Sequence, residues 1–139
     1  MSEEAILTIQ GISRIFPSVS GREPVRALEP TRLDIARNDF LTILGPSGCG
    51  KSTLLRIVAG LDRPTTGHVN LNGRAITAPG PDRGMVFQSY TLFPWLSVAD
   101  NIAFGLRERG VPETQTRLIV EEYIAKVGLR GFENHLPKQ

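Results

Sequence analysis

The chain has 139 residues, one cysteine and a formal net charge of +2, with 16 basic and 14 acidic side chains spread along its length. This length suits one domain with a hydrophobic core, and the mixed charge excludes a basic stripe of the kind that binds nucleic acid. One cysteine excludes an internal disulfide, and no apolar run reaches the ~18 residues that a membrane-spanning helix needs. The first residues lack a basic start and an apolar block, so we expect no secretory signal and a cytoplasmic protein.

Two strands are predicted before the first helix. Residues 6–16 alternate apolar and polar side chains, which is typical of a half-buried strand, and a loop rich in proline, serine and glycine follows over residues 17–24. A second strand is expected over residues 25–35, where Pro30 implies an edge position or an irregularity. Two consecutive strands joined by a loop predict an antiparallel unit.

A glycine-rich loop follows the next predicted strand. Residues 39–44 form a short apolar run with β-branched members, which predicts a strand buried on both faces. Residues 45–53, Gly-Pro-Ser-Gly-Cys-Gly-Lys-Ser-Thr, match the phosphate-binding pattern G-x-x-x-x-G-K-[ST]. Apolar residues at helical spacing continue until Gly60 and Pro64, which predicts a helix. Strand, loop and helix together indicate a site for nucleotide phosphates.

The residue types of this loop suit that chemistry. Glycines let backbone N–H groups surround phosphate oxygens, and the start of the helix adds free N–H groups and the positive end of its dipole. We expect Lys51 to reach the β- and γ-phosphates, Ser52 to ligate Mg²⁺ and Thr53 to donate to the α-phosphate. The candidate nucleotide-binding residues here are Gly45, Pro46, Ser47, Gly48, Cys49, Gly50, Lys51, Ser52 and Thr53.

The rest of the chain predicts a hairpin, a short strand and two helices. Asn72-Gly73 is typical of a hairpin turn within residues 67–76, and residues 83–87 form a compact apolar strand candidate. A capping box opened by Ser97 begins a helix to about residue 109. A second helix is expected over residues 113–127, and a loop after it. Its predicted buried stripe consists of Val120, Tyr123, Ile124 and Val127, while His68 and His135 are interpreted as solvated.

Several segments together resemble the ATP-binding subunit of an ABC transporter. They are Phe16, the phosphate-binding loop, the Asn72-Gly73 hairpin and residues 84–88, Gly-Met-Val-Phe-Gln. Residues 81–88 and 92–102 further resemble the nitrate, sulfonate and taurine importers. The resemblance implies an α/β fold, truncated here. A P-loop NTPase core with an antiparallel β subdomain would span about residues 1–96, and the start of a helical subdomain about residues 97–139.

The resemblance also implies roles for residues outside the loop. Phe16 would stack on the adenine ring, and Gln88 would ligate Mg²⁺, whereas a core aromatic and a turn glutamine are the plainer interpretations. Leu92, Phe93 and Trp95 would dock a cytoplasmic helix of a transmembrane permease, although Trp95 could instead cap the core. The cofactors implied are ATP and Mg²⁺. The implied partners are that permease and a second ATP-binding subunit in a head-to-tail dimer, at the inner face of the membrane.

No catalytic residue can be assigned. The Walker B pattern of four apolar residues followed by Asp-Glu is missing, since Leu33-Asp34 and Leu61-Asp62 lack both the apolar run and the second acid. His135 precedes the place where the family has its signature, so it is no switch histidine. The resemblance therefore implies the N-terminal portion of an ATPase domain, with further strands expected between residues 40–44 and residues 83–87.

The function expected from the resemblance is ATP binding in the energy-coupling subunit of an ABC importer, with hydrolysis by the complete domain. Two alternatives remain open. One is a non-catalytic nucleotide-binding fragment, which the missing Walker B pattern would fit. The other is a small-molecule P-loop kinase with lid arginines, for which Arg107, Arg109 and Arg117 are the candidates.

Overall fold

A computed structural model describes residues 5–17, 23–89 and 91–139, so most of the loop expected at residues 17–24 lies outside the described residues. The chain forms two compact units, one up to Val86 and one from Phe87 to Gln139. Its elements in chain order are β1 (Ala5–Phe16), β2 (Val25–Ala36), α1 (Lys51–Val58), β3 (Thr66–Leu71), β4 (Arg74–Ala75), α2 (Val98–Glu108) and α3 (Glu113–Lys126).

The first unit is built on an antiparallel sheet with strand order β2-β1-β3-β4. The alternation of β1 shifts at Gly11, whose φ of 60° introduces a bulge. Leu7 and Ile9 are buried before the bulge and Ile12 after it, so the extra residue keeps the apolar side chains on the core face. The predicted half-buried strand and the predicted antiparallel unit are both confirmed.

β2 lies at the edge of this sheet, and Pro30 is part of it. Proline cannot donate to a strand on its N–H side, which is why an edge position accommodates it. The pairing of β2 with β1 also shifts register at several points. Both predictions made from Pro30 are confirmed. At the following turn Asn38 has a φ of 67°, and the Ala36 N–H donates to the Asp39 carboxylate at 2.8 Å.

The hairpin of β3 and β4 turns at Asn72 and Gly73, with φ values of 50° and 74°. Left-handed backbone at both central residues is the requirement of a type I′ turn, so this prediction is confirmed. Glycine is also required at Gly67, where a Cβ would overlap the carbonyl oxygens of Gln10 and Gly11 on β1. The close approach of β3 to the bulged part of β1 depends on that missing side chain.

Helix α1 packs its buried face on the sheet. Leu54 and Ile57 belong to the same buried cluster as the core residues of the strands, whereas Leu55 is exposed. Gly60, with a φ of 78°, ends the helix as predicted. The buried members of this cluster are Leu7, Ile9, Ile12, Leu28, Leu54, Ile57 and Val69.

Two predicted strands are absent from the described residues. Neither residues 39–44 nor residues 83–87 form a strand, and both expectations are therefore wrong for this chain. Phe40 and Leu44 are 95% and 87% exposed, and Val86 is 98% exposed. An apolar run that is meant to be buried on both faces needs a paired strand on each side, and the described residues supply none.

The second unit is a pair of helices with a small core of Ala103, Val120 and Ile124. Ser97 caps α2 by accepting a hydrogen bond from the Asp100 N–H at 3.1 Å, as predicted. The Asp100 carboxylate accepts from the Ser97 hydroxyl at 2.7 Å, the one departure from the expected capping box.

The predicted buried stripe of α3 is only half right. Val120 and Ile124 are buried together with Thr116, but Tyr123 and Val127 are exposed. α2 covers one side of α3, and nothing among the described residues covers the other. Residues 129–139 form no helix or strand, and His68 and His135 are exposed, as predicted. Among the described residues, no helix is both long and apolar enough to cross a membrane.

Candidate nucleotide-binding site

The glycines of the loop at residues 45–53 have different roles. Gly48 and Gly50 have φ values of 80° and 98°, which side chains rarely tolerate, whereas Gly45 is not among the residues with a positive φ. A Cβ at Gly45 would lie 2.7 Å from the Cys49 Sγ, and a Cβ at Gly48 would meet nothing within 4 Å. The loop therefore turns at Gly48 and Gly50 and is tightly closed between Gly45 and Cys49.

Gly50 also fixes the loop against the sheet. A Cβ at this position would overlap the carbonyl oxygen of Ala27 on β2, a backbone atom that cannot move aside like a flexible side chain. The pattern match explains a glycine here by the approach of phosphate. In this structure the approach of β2 is a second and independent reason for the same residue.

The start of α1 is open to an anion. Gly50 is its N-cap, no side chain caps it, and its first turn contains no acidic residue. The first helical backbone bond is donated by the Leu54 N–H to the Gly50 carbonyl at 2.9 Å. The preceding N–H groups of Lys51, Ser52 and Thr53 have no intrahelical acceptor, so they and the positive end of the dipole favour a bound phosphate.

Lys51 spans the loop from its end back to its beginning. The Nζ group donates to the carbonyl oxygens of Gly45 at 2.8 Å and Pro46 at 2.7 Å, and lies 3.5 Å from the Cys49 Sγ. An ammonium group has three donors, so it can exchange one of these contacts for a phosphate oxygen. The exposed Ser47 and Ser52 hydroxyls and the partly exposed Thr53 hydroxyl are the other side-chain oxygens of the loop.

Phe16 ends β1 and is partly exposed, as an aromatic that stacks on a base has to be. One feature of its surroundings was not foreseen from the sequence. The guanidinium carbon of Arg14 lies 4.7 Å from the centre of the Phe16 ring, and the Arg14 Nη2 lies 3.0 Å from the Asp62 carboxylate. The sequence signal for this contact was the spacing of the two residues, since a cation at position i and an aromatic at position i+2 of a strand lie on the same face.

The second unit contains Gln88 and the predicted docking residues. Gln88 is exposed. Leu92 is exposed and Trp95 is 71% exposed, which argues against Trp95 as a cap on the core. Phe93 is partly buried, with ring centres 4.5 Å from Phe104 and 5.5 Å from Trp95.

Asn101 on α2 holds the segment that carries these residues, a role that was not foreseen from the sequence. Its side-chain oxygen accepts from the Phe93 N–H at 2.9 Å. Its amide group donates to the carbonyl oxygens of Phe93 at 3.1 Å, Leu96 at 3.0 Å and Ser97 at 3.0 Å. One side chain thus contacts four backbone groups of residues 93–97. An asparagine in the first turn of an amphipathic helix was the only sign of this in the sequence.

Arg107 joins the two helices of the second unit. It donates to Asp100 at 2.9 Å and to Glu113 at 3.1 Å. The Ser97 hydroxyl and the Arg107 guanidinium hold the pKa of the Asp100 carboxyl below its usual range, and Arg107 also lowers the pKa of Glu113. An arginine held by two carboxylates does not suit the mobile lid of a kinase, which weakens that alternative.

Similar proteins include ATP-binding proteins that are named for taurine import and for bicarbonate transport. The taurine import ATP-binding protein TauB of Pelagibacter ubique is 48% identical over 128 residues, which is 92% of this chain and 48% of TauB. The bicarbonate transport ATP-binding protein CmpC of Synechococcus elongatus is 47% identical over 135 residues, which is 96% of this chain and 20% of CmpC. The chain thus spans about half of the first relative and a fifth of the second.

A solved structure of an ATP-binding cassette, dimeric and in a post-hydrolysis state with ADP and Pi, has the same fold. It superposes with a TM-score of 0.81 at 29% identity, over 96% of this chain and 62% of that one. This likeness confirms the P-loop NTPase fold expected from the sequence. The family model for the ABC transporter matches residues 28–139. The chain belongs to the ABC transporter family.

Proposed function

We propose that this chain holds MgATP as part of the energy-coupling subunit of an ABC importer. The observation that carries this proposal is the uncapped start of α1 next to Lys51, in a loop whose turns depend on Gly48 and Gly50. Free N–H groups, a helix dipole and a cation converge there on one short segment. Phosphate is the anion that such a segment recognises.

The residues present fit MgATP. The backbone N–H groups of Gly45, Ser47, Gly48, Cys49 and Gly50 would surround phosphate oxygens, whereas Pro46 has no N–H, and the Thr53 hydroxyl would donate to the α-phosphate. Lys51 gives up a loop carbonyl for the β- and γ-phosphates, and Ser52 offers a hydroxyl oxygen to Mg²⁺. The bound metal neutralises charge on the phosphates. Phe16 would stack on the adenine, and Gln88 would supply a second oxygen ligand for Mg²⁺.

The importer role rests on the relatives, and their names indicate the kind of cargo. Bicarbonate is an oxyanion and taurine is a zwitterion with a sulfonate group, so the substrate class that we propose for the complete transporter is a small solute with an oxyanion group, of the nitrate, sulfonate or taurine type. Selectivity would reside in other subunits. A transmembrane permease would dock on Leu92, Phe93 and Trp95, which places the subunit at the cytoplasmic face of the membrane. A second ATP-binding subunit would complete a head-to-tail dimer.

Hydrolysis would be performed by the complete domain. The Walker B carboxylate and the switch histidine have no counterpart in this sequence, so residues 1–139 alone are expected to bind nucleotide without turnover. We also propose a functional boundary near residue 96, between the β subdomain with the P-loop core and the start of the helical subdomain. The alternative is a nucleotide-binding fragment that has no catalytic role in any assembly. ATP hydrolysis by the complete subunit would support our proposal over this alternative.

The direct test of nucleotide binding is Lys51→Ala in the complete subunit. Two charge-assisted hydrogen bonds to phosphate at roughly 1.5–3 kcal/mol each predict at least about 100-fold weaker binding of MgATP. The measurement is titration with a fluorescent ATP analogue. Lys126→Ala is the matched control, because Lys126 is a lysine on α3 that pairs with Glu122 at 2.6 Å. Unchanged affinity in Lys51→Ala would overturn the assignment of the loop.

The docking role is tested by Trp95→Ala, with Tyr123→Ala as the exposed aromatic control on α3. A binding hot spot contributes about 2 kcal/mol or more, so we expect roughly 30-fold weaker assembly with the permease and unchanged MgATP affinity. Co-purification with the permease and nucleotide titration measure the two quantities. Normal assembly with impaired ATP binding would show that Trp95 supports the nucleotide site and is not a docking residue.

A further inference from the structure

The ring of Phe16 is covered on one face by a cation of its own strand. Arg14 and Phe16 lie two residues apart on β1, and the guanidinium carbon is 4.7 Å from the ring centre. A guanidinium group at this distance is attracted by the electron density of the ring face and restricts how the ring can turn. The opposite face is the one left for a further flat group.

Arg14 is itself fixed by the turn that follows α1. Its Nη2 lies 3.0 Å from the Asp62 Oδ1, and the two side chains are only 23% and 20% exposed. The Asp62 N–H donates to the Arg56 carbonyl at 3.3 Å, and the Asp62 carboxylate accepts from the Arg63 N–H at 2.8 Å. Asp62 is therefore held against the C-terminal end of α1, the helix whose first turn lies at the phosphate loop.

We propose that Arg14, held by Asp62, is a positioning residue for the nucleobase. Arg14 holds the Phe16 ring in one orientation and leaves one ring face free. A nucleobase stacks on that free face, so that the ring lies between the guanidinium and the base. A ring that is already ordered loses less conformational freedom on stacking, and this raises the affinity for nucleotides that carry a base. This inference rests on the proposed function, because it needs Phe16 to be the base platform of the site.

The test compares MgATP with magnesium tripolyphosphate, which has the phosphates and no base, in the complete subunit. Arg14→Gln and Asp62→Asn are expected to weaken MgATP about two- to fivefold, the range of a cation–π contact at a partly exposed site, and to leave tripolyphosphate affinity unchanged. Arg14→Lys keeps a cation over the ring and should restore most of the difference. The double variant Arg14→Gln/Asp62→Asn should be no weaker than Arg14→Gln, since Asp62 acts on the ring only through Arg14.

Unchanged tripolyphosphate binding shows that a variant is folded, so loss of structure cannot imitate the expected result. Equal weakening of both ligands would overturn the inference and leave the ion pair a purely structural contact. Unchanged MgATP affinity in both variants would also overturn it. If the unsubstituted subunit bound neither ligand, the proposed function would fail first. If Phe16→Ala left the ratio of the MgATP and tripolyphosphate affinities unchanged, Phe16 would not be the residue on which the base stacks. The phosphate site would be unaffected by that result.

Discussion

The first unit contains two kinds of apolar segment that behave differently. Strands β1 to β4 pair with one another and bury Leu7, Ile9 and Ile12. Residues 40–44 and 83–87 are as apolar as the strands, yet they form none and expose Phe40 and Val86 almost completely. The difference lies in where their partners are found, and not in their own composition.

The strands of the antiparallel sheet find all of their partners within residues 5–75. β3 and β4 are joined by a two-residue turn, and β1 pairs with the strands on either side of it. Parallel strands need a crossover connection and neighbours on both sides. In the ABC fold that we propose for the complete subunit, strands beyond residue 139 would flank the two unpaired segments. The described residues therefore contain a finished antiparallel sheet, whereas residues 40–44 and 83–87 are without strand partners.

The finished sheet holds the phosphate loop through Gly50, so a substitution at this residue tests whether the sheet supports the site. Gly50→Ala forces a side chain into the left-handed region and against the Ala27 carbonyl, and we expect a loss of about 2–5 kcal/mol in the free energy of unfolding. Gly48→Ala is the matched control. It has a similar φ and nothing within 4 Å, so only about 1–2 kcal/mol should be lost.

Urea unfolding of the two glycine variants in the complete subunit measures the difference. Equal losses would mean that only the backbone conformation matters and that β2 does not support the loop. In that case the finished sheet would contribute nothing to the site. The unpaired segment before the loop would then have to be held in another way.

A smaller effect is expected in the second unit, where α2 and α3 are also close in the chain. Arg107→Gln removes the guanidinium that, beside the Ser97 hydroxyl, lowers the pKa of Asp100 and that is the main cause of the lowered pKa of Glu113. A carboxyl with a depressed folded pKa stabilises the fold above its unfolded pKa, about 4, and this contribution is lost as the pH falls through the folded pKa. The variant should be less stable than the unsubstituted protein at pH 7, and the difference should fade below about pH 4.

Urea midpoints of the complete subunit between pH 7 and pH 3.5 provide the measurement. Arg109→Gln is the control, since Arg109 forms no ion pair among the residues that the structure describes. A difference that stays constant over this pH range would contradict the ion-pair account. It would point to the packing of the Arg107 stem as the source of the stability.

The sequence was sufficient where structure is decided locally. Asn72-Gly73 requires a type I′ turn, Pro30 requires an edge, and Ser97 caps the helix that follows it. It was misleading where the outcome depends on distant partners, as at residues 39–44 and 83–87 and at Tyr123 on α3. An apolar pattern states that a segment can be buried. It does not state whether the covering element is present.

The candidate site divides in the same way. The loop at residues 45–53 follows from its own sequence, because glycine conformation and helix start are local properties. The contacts of Gly50 with Ala27 and of Arg14 with Asp62 join residues that are far apart in the chain. Contacts of that kind depend on how the sheet and α1 pack, and no local sequence pattern specifies them.

Backbone hydrogen exchange over residues 40–44 and 83–87 reports whether these segments have strand partners. We expect rapid exchange at both segments in the 139-residue chain and strong protection in the complete subunit, where partner strands are proposed. Residues 7–12 of β1 should be protected in both. Strong protection of residues 40–44 in the 139-residue chain itself would contradict the account, since it would show that these strands form without partners from beyond the chain.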